Sequence, residues 1–446
     1  MQPAFDTGRF ADQTLDQPRD EPAAAPVWSP ATRFLFRFGF AYLLLYNFPF
    51  PLEYIPYVDA AVMPYYRLWQ TLVPWVGSRL FDVDATILPN GSGDTTYGYV
   101  QVFCYLVIAL LAAAVWSIFD RKRTSYPRLL EGLKIYVRFA LAATMISYGA
   151  VKVIKSQFPD PSADRLLQPY GDASPMGLLW TFMGASTMYN VFSGSAEMIG
   201  GLLLTVRRTA LLGALVSFGA MLNVVVLNFC YDVPVKLFSS HLVIMAVFLT
   251  LPDLRRLLDL LVLNRRVEAV QDRPFFARPW LRRGLLALRT AAVISLAVFH
   301  LNRSYETGKL YGSQAPKGPL SGIWEVDEMS IDGRIRPPLV TDTERWRRVI
   351  LGNPGQLSVQ RMDDFRDRYH LAADPKGAAG TLELTRRFDP TKKSSLAYAQ
   401  PKPGLLTLQG TWEGRRLQVR LHRVEAPKFL LTTRGFHWIN ERPFNR

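Results

Sequence analysis

Between residues 31 and 302 long apolar runs alternate with short polar junctions, and outside those limits no such run occurs. A helix needs about 20 mostly apolar residues to cross a bilayer. Seven stretches approach that length: roughly 31–50, 98–119, 133–154, 189–206, 209–230, 235–252 and 284–302. Arg33 and Arg37 stand in the opening of the first, and Pro49 and Pro51 close it. The stretch 61–80, AVMPYYRLWQTLVPWVGSRL, is apolar but is broken by two prolines, Arg67 and Gln70. It reads as an interfacial segment, with Tyr65, Tyr66, Trp69 and Trp75 at headgroup depth. From about 316 the pattern changes to short alternating runs separated by turns. LSVQRM, RDRYHLAAD and GTLELTRRF are strand candidates, and LLTLQGTWEGRRLQVRLHRV (405–424) reads as a hairpin turning at Glu413-Gly414. The expected fold is therefore a polytopic α-helical membrane protein of seven transmembrane helices, followed by a small antiparallel β-barrel or sandwich.

Charge sets the direction of the spans. The net charge is +15, but its distribution argues against nucleic acid as the partner, because many of the Lys and Arg residues sit between apolar runs. RKRTSYPR (121–128) follows the second span, Arg207 and Arg208 separate the fourth and fifth, and Arg255, Arg256, Arg265, Arg266, Arg273, Arg278, Arg282 and Arg283 lie between the sixth and seventh. With alternating spans all three junctions fall on one side, and the positive-inside rule makes that side cytoplasmic. The expected localisation is multi-pass in a bacterial inner membrane, N-terminus inside and C-terminal domain outside.

The domain reading that follows has an acidic, Pro/Ala-rich, disordered cytoplasmic tail at 1–30 and two spans with the interfacial segment at 31–128. Four helices follow at 129–255, then a basic loop at 256–283, the seventh span at 284–302, a linker at 303–320 and the β domain at 321–446. No basic n-region with a cleavage site precedes the first span. The only cysteines are Cys104 and Cys230, with no CxxC, which argues against a zinc site, an iron–sulfur cluster or a disulfide scaffold. SGIWEV (321–326) places a Gly-x-Trp on the first strand, similar to the start of lipocalin-like barrels, and the Trp is expected to be buried. The terminal RGFHWINERPFNR (434–446), rich in aromatics and Arg, is expected to dock on the barrel or the helices.

Ionisable side chains at membrane depth are costly unless paired or solvated. Lys134 and Arg138 lie near the inner end of the third span, where they can snorkel to the cytoplasm. The others gather at the opposite end. Tyr148 and Lys152 close the third span, Glu197 lies about two turns into the fourth, and Asn223 and Asn228 are on the fifth. Asp232, Lys236 and His241 follow within NFCYDVPVKLFSSH (228–241). Because spans three and five run outward and four and six inward, all eight fall in the outer part of the membrane, Asn223 deepest. They form either one outward-facing polar pocket or a set of separate interfacial residues each meeting water. Glu197 is too short-stemmed to snorkel from its depth and requires a partner: Lys152 first, His241 second.

These four spans resemble the DoxX family of four-helix membrane proteins. The match rests on Arg138, on YGAVK with Gly149 and Lys152, and on ExxGGxLLL with Glu197, Gly200 and Gly201, and it covers roughly 130–252. The resemblance implies a redox-associated protein binding a quinone-like or small sulfur compound, with quinone as the implied cofactor and a membrane or periplasmic redox partner beside the lipid bilayer. No haem or flavin motif and no soluble dehydrogenase segment accompanies it. Two further readings stand beside this one: a non-catalytic transporter or lipid/solute-binding module, and an enzyme with the helices-then-β layout of the vitamin K-dependent carboxylase, for which no catalytic motif is matched.

Overall fold

A computed structural model describes residues 27–55, 57–87, 91–268, 278–352, 355–372, 377–425 and 428–445. The acidic start (1–26) and the Asp374-Pro375-Lys376 turn lie outside the described residues, as does Arg273 of the basic loop.

The chain is helical up to Tyr311. The helices are α1 (Pro30–Asn47), α2 (Asp59–Val76), α3 (Thr96–Phe119), α4 (Pro127–Val153), α5 (Ala163–Leu166), α6 (Pro175–Ala185), α7 (Thr187–Thr205), α8 (Ala210–Cys230), α9 (Lys236–Thr250), α10 (Leu254–Leu261) and α11 (Pro279–Tyr311). All seven apolar stretches are thus helical. Four segments are long and apolar enough to cross a membrane: Thr96–Phe119, Arg207–Cys230, Lys236–Leu261 and Pro279–Tyr311. The other three carry charge: Arg33 and Arg37 on α1, Lys134, Arg138 and Lys152 on α4, and Glu197 on α7.

Three boundaries differ from expectation. Residues 59–76 form a continuous helix through Pro64 and Pro74, and its Val62, Trp69, Val73 and Val76 are buried. Trp69 packs edge-on against Tyr105 at 4.7 Å between ring centroids, so it belongs to the helix packing and is not a surface anchor; Trp75 and Tyr66, on the other face, are exposed. The stretch 303–311, expected as linker, continues α11, because RSYETGKLY is helix-compatible apart from one tolerated glycine. The segment 155–188, expected as a plain outer loop, holds α5 and α6.

Neighbouring helices pack antiparallel. Gly149 of α4 lies against Gly194 of α7, Gly213 of α8 against Leu204 of α7, and Asn228 of α8 bonds Ser239 of α9. Arg37 of α1 is buried near the far end of α3, where it donates to Ser117 Oγ (2.7 Å), the Asp120 carbonyl and the Tyr126 hydroxyl. The main apolar core runs through α1, α2, α3, α4, α8 and α9.

The C-terminal unit is a closed antiparallel barrel of eight strands: β1 (Gly322–Ile331), β3 (Trp346–Leu351), β4 (Gln356–Arg361), β5 (Arg366–Leu371), β6 (Ala379–Arg386), β7 (Asp389–Lys402), β8 (Leu405–Trp412) and β9 (Arg415–Val424), with the two-residue β2 (Arg334–Ile335) appended to β1. Pairing of β1 with β9, from Ile323–Val424 to Ile331–Leu417, closes the ring and decides for a barrel over a sandwich. Side chains alternate as the pleat requires: Leu417, Val419 and Leu421 point in, and Gln418 and Arg420 point out. Glu413 and Gly414 have φ of 47° and 86°, the pair of positive values that a type I′ hairpin turn needs. Trp324 is fully buried, as expected, and its indole N–H donates to the Leu320 carbonyl at 2.8 Å. The terminal segment is not docked: Phe436 and Trp438 are 77% and 90% exposed. It folds on itself instead, with Arg434 3.9 Å above the Phe444 ring.

The barrel meets the helices through polar contacts. Arg368 Nε donates to Asp164 Oδ2 at 2.9 Å, Arg366 bonds the Asp164 carbonyl, and the Asp160 N–H donates to Ser313 Oγ at 2.8 Å. The barrel therefore sits at the end of the helices where α4 and α8 finish and α7 and α9 begin.

Candidate functional site

Three glycines bring Glu197 and Lys152 together. A Cβ on Gly149 would stand 2.6 Å from the Gly194 carbonyl oxygen, and one on Gly194 would stand 2.8 Å from Lys152 Cβ. One on Gly201 would lie 2.9 Å from the Ala142 carbonyl oxygen, so α4 and α7 touch backbone to backbone along two turns. Gly200, singled out in the sequence, faces α8 instead, against Ser217. At that separation the Lys152 ammonium donates directly to Glu197 Oε1. Lys152 is 5% and Glu197 1% exposed, so the ion pair is withdrawn from solvent. Gly149→Val is expected to force the two helices apart. Overpacking costs about 1–3 kcal/mol, and a lower melting temperature of the detergent-solubilised protein should report it.

The second Glu197 oxygen, Oε2, is buried and has no hydrogen-bond partner among the described residues. It faces a cavity of about 80 Å³. Tyr148, Lys152, Glu197, Asn223 and Asn228 all line this space, so five of the eight residues expected at one pocket do share it. Asn228 donates to Ser239 Oγ at 2.9 Å and to the Val235 carbonyl, which pins the α8–α9 turn. Among the described residues Tyr148 Oη and the Asn223 amide make no hydrogen bond to protein.

The other three residues do not reach it. Lys236 donates to Asp232 at 2.8 Å at the surface. Asp94, unmarked by the sequence reading, accepts from the backbone N–H groups of Lys236 and Leu237 at 2.8 and 2.9 Å, capping α9 as an N-cap carboxylate would. His241 turns toward α1: its Nδ1–H donates to the Leu237 carbonyl at 2.7 Å, and Nε2 accepts from the Tyr42 hydroxyl at 2.6 Å. The cluster at 228–241 is thus a turn pinned by Asn228, a capped helix start and a histidine committed to another face. Glu197 has its first expected partner, Lys152, and not His241.

The roof of the cavity was missed. Phe158 and the α6 residues Leu179, Trp180 and Met183 close it, and Tyr189 and Ser193 of α7 complete the wall. The available signal was Ser174-Pro175 before an apolar run: Ser174 Oγ accepts from the Gly177 N–H at 3.1 Å and Pro175 takes the first helical position. Cys104 and Cys230 are free thiols, the first buried and the second exposed.

"Uncharacterized protein YwoB" of Bacillus subtilis (strain 168) is 31% identical to this chain over 143 residues, which make up 87% of that protein and 32% of this one. The chain belongs to the YwoB family. About two thirds of its length lies outside the match, so the YwoB relationship does not span both the helices and the barrel. No family model matches the chain. No solved structure matches it.

Proposed function

We propose that the chain is a DoxX-like, redox-associated integral membrane protein that binds a small compound in the closed Lys152–Glu197 cavity. One observation carries this reading: a carboxylate oxygen, buried and without a protein partner, faces enclosed space. Such an acceptor is expensive to leave empty-handed, and a ligand with an O–H, N–H or S–H donor satisfies it. Size chooses between the ligand classes that the resemblance implies. About 80 Å³ holds a few water-sized groups, which suits a small sulfur compound and leaves no room for a quinone ring.

The same reading places the protein as a multi-pass protein of a bacterial inner membrane, N-terminus and basic junctions inside, barrel and cavity toward the outside. The antiparallel packing supports it, because the junctions at 121–128, 207–208 and 255–266 stand at the end of the helices opposite the barrel. A reporter active only in the cytoplasm is expected to work when fused after Arg266 and to fail after Arg446; the reverse would invert the arrangement.

The binding test uses purified full-length protein and hydrosulfide and thiosulfate as probes, read by calorimetry. Saturable binding of either that weakens at least tenfold in Glu197→Gln, at unchanged melting temperature, is the expected result. Binding indifferent to Glu197→Gln sinks the reading, as does binding of neither probe. Co-purification of a phospholipid headgroup on Lys152 and Glu197 would favour the lipid-binding alternative.

A further inference from the structure

Beside the closed cavity lies a larger one, of about 540 Å³, between α1, α3, α4 and α9. Tyr148 and Phe238 line both and, with their rings 6.0 Å apart and 28° from parallel, form part of the partition between the two spaces. The volume falls within the range of about 300–1,000 Å³ typical of small-molecule pockets. The walls are mainly rings, among them Tyr46, Phe50, Tyr105, Tyr148 and Phe238.

Two features make this more than an apolar gap. The first is rigidity. Tyr46 stacks on His241 at 3.9 Å and 7° between planes, and His241 is fixed at both ring nitrogens by Leu237 and Tyr42. A wall locked by packing and hydrogen bonds beyond it stays open for a ligand. The second is an excess of donors. The hydroxyls of Tyr46 and Tyr148 and the amide of Gln101 all line the space, and among the described residues none of these side chains makes a hydrogen bond to protein. The other polar groups are already used: Thr144 donates to the Ala140 carbonyl, Asn47 to the Leu43 carbonyl, and the Tyr105 hydroxyl is shared with Tyr65. Glu53 lines the space too but is exposed.

From these facts we infer that the 540 Å³ cavity is a second binding site, distinct from the Lys152–Glu197 cavity, for a flat ring compound bearing carbonyl oxygens. The ring faces lie against the tyrosine and phenylalanine walls, where stacking is favourable in offset or edge-on geometry. The carbonyl oxygens accept from Gln101 and Tyr148, which otherwise have nothing to donate to. This site is assembled largely from α1 and α3, outside the stretch that resembles the DoxX pattern.

The test is a titration of the purified full-length protein with 1,4-naphthoquinone, followed by quenching of tyrosine and tryptophan fluorescence, with naphthalene as the ring that lacks carbonyls. Saturable quenching is expected, with naphthalene bound at least tenfold more weakly. Gln101→Leu and Tyr148→Phe should each weaken naphthoquinone about tenfold, the change that loss of one hydrogen bond of about 1.4 kcal/mol brings. Tyr148→Phe removes one oxygen and keeps the ring, so it answers the question even if Gln101→Leu disturbs the helix. Three results would each overturn the proposal: no saturable quenching of the wild type, naphthalene binding as tightly as naphthoquinone, or an affinity unchanged in both variants.

Discussion

Lys152→Met is expected to cost about 3–5 kcal/mol of stability, and adding Glu197→Gln to it should return part of that loss. The first figure is the usual penalty for stranding one member of a buried ion pair. It applies here because neither partner can escape: Glu197 is 1% exposed and lies on the glycine-lined seam between α4 and α7. With the ammonium gone, Glu197 has no partner left for either oxygen among the described residues, since Oε2 has none already. Glu197→Gln removes that charge while keeping the shape, so the double variant buries a neutral amide beside a thioether. A coupling of about 0.5–3 kcal/mol between directly touching residues follows. Thermal unfolding of the four proteins in one detergent measures it. Strictly additive losses would mean that the two side chains do not act on each other and would remove the centre of the proposed site.

How much of this was legible depends on what each residue's environment requires. The seven helical stretches could be read because apolar runs of that length have few other uses, and the barrel's strands because a period of two survives in LQVRL and LLTL. The Lys152–Glu197 pair could be read from depth alone, since a short buried carboxylate demands a cation nearby. The fate of the 228–241 cluster could not. Whether His241 faces Glu197 or Tyr42 depends on how α9 is rotated against α1, and α1 is some two hundred positions away in the chain. Asp94 was invisible for the same reason, as it caps α9 from the loop before α3. The 540 Å³ cavity is a property of how four helices fail to fill the space between them, and no single stretch of sequence carries it.

The barrel is expected to fold without the helices, and Trp324→Ala to unfold it. Residues 316–446 retain every strand of the closed ring, including both members of the β1–β9 closure. The residues whose loss would expose the most apolar surface, Trp324, Trp346, Tyr369 and Trp412, belong to one core contained within the barrel. The contacts broken by removing the helices include the Asp164 pairs with Arg366 and Arg368, which are polar and leave no opened core. A cooperative melt with a β-type circular dichroism spectrum is the expected behaviour of this fragment. Trp324→Ala then deletes a fully buried indole and strands the Leu320 carbonyl it serves. A large-to-small change of this kind costs about 3–5 kcal/mol, a large share of the roughly 5–15 kcal/mol that holds a domain together. Acid should erode the same fragment. The Arg415 guanidinium, 2.6 Å from Glu344, holds that carboxyl below its usual range. A depressed folded-state pKa contributes stability that is complete above the unfolded value of about 4.3 and is lost as pH falls through the folded one. Arg415→Gln should therefore flatten the acid limb without touching the core, whereas Trp324→Ala lowers the melt at every pH. A fragment that stays disordered at neutral pH would show that the barrel needs the helices to fold.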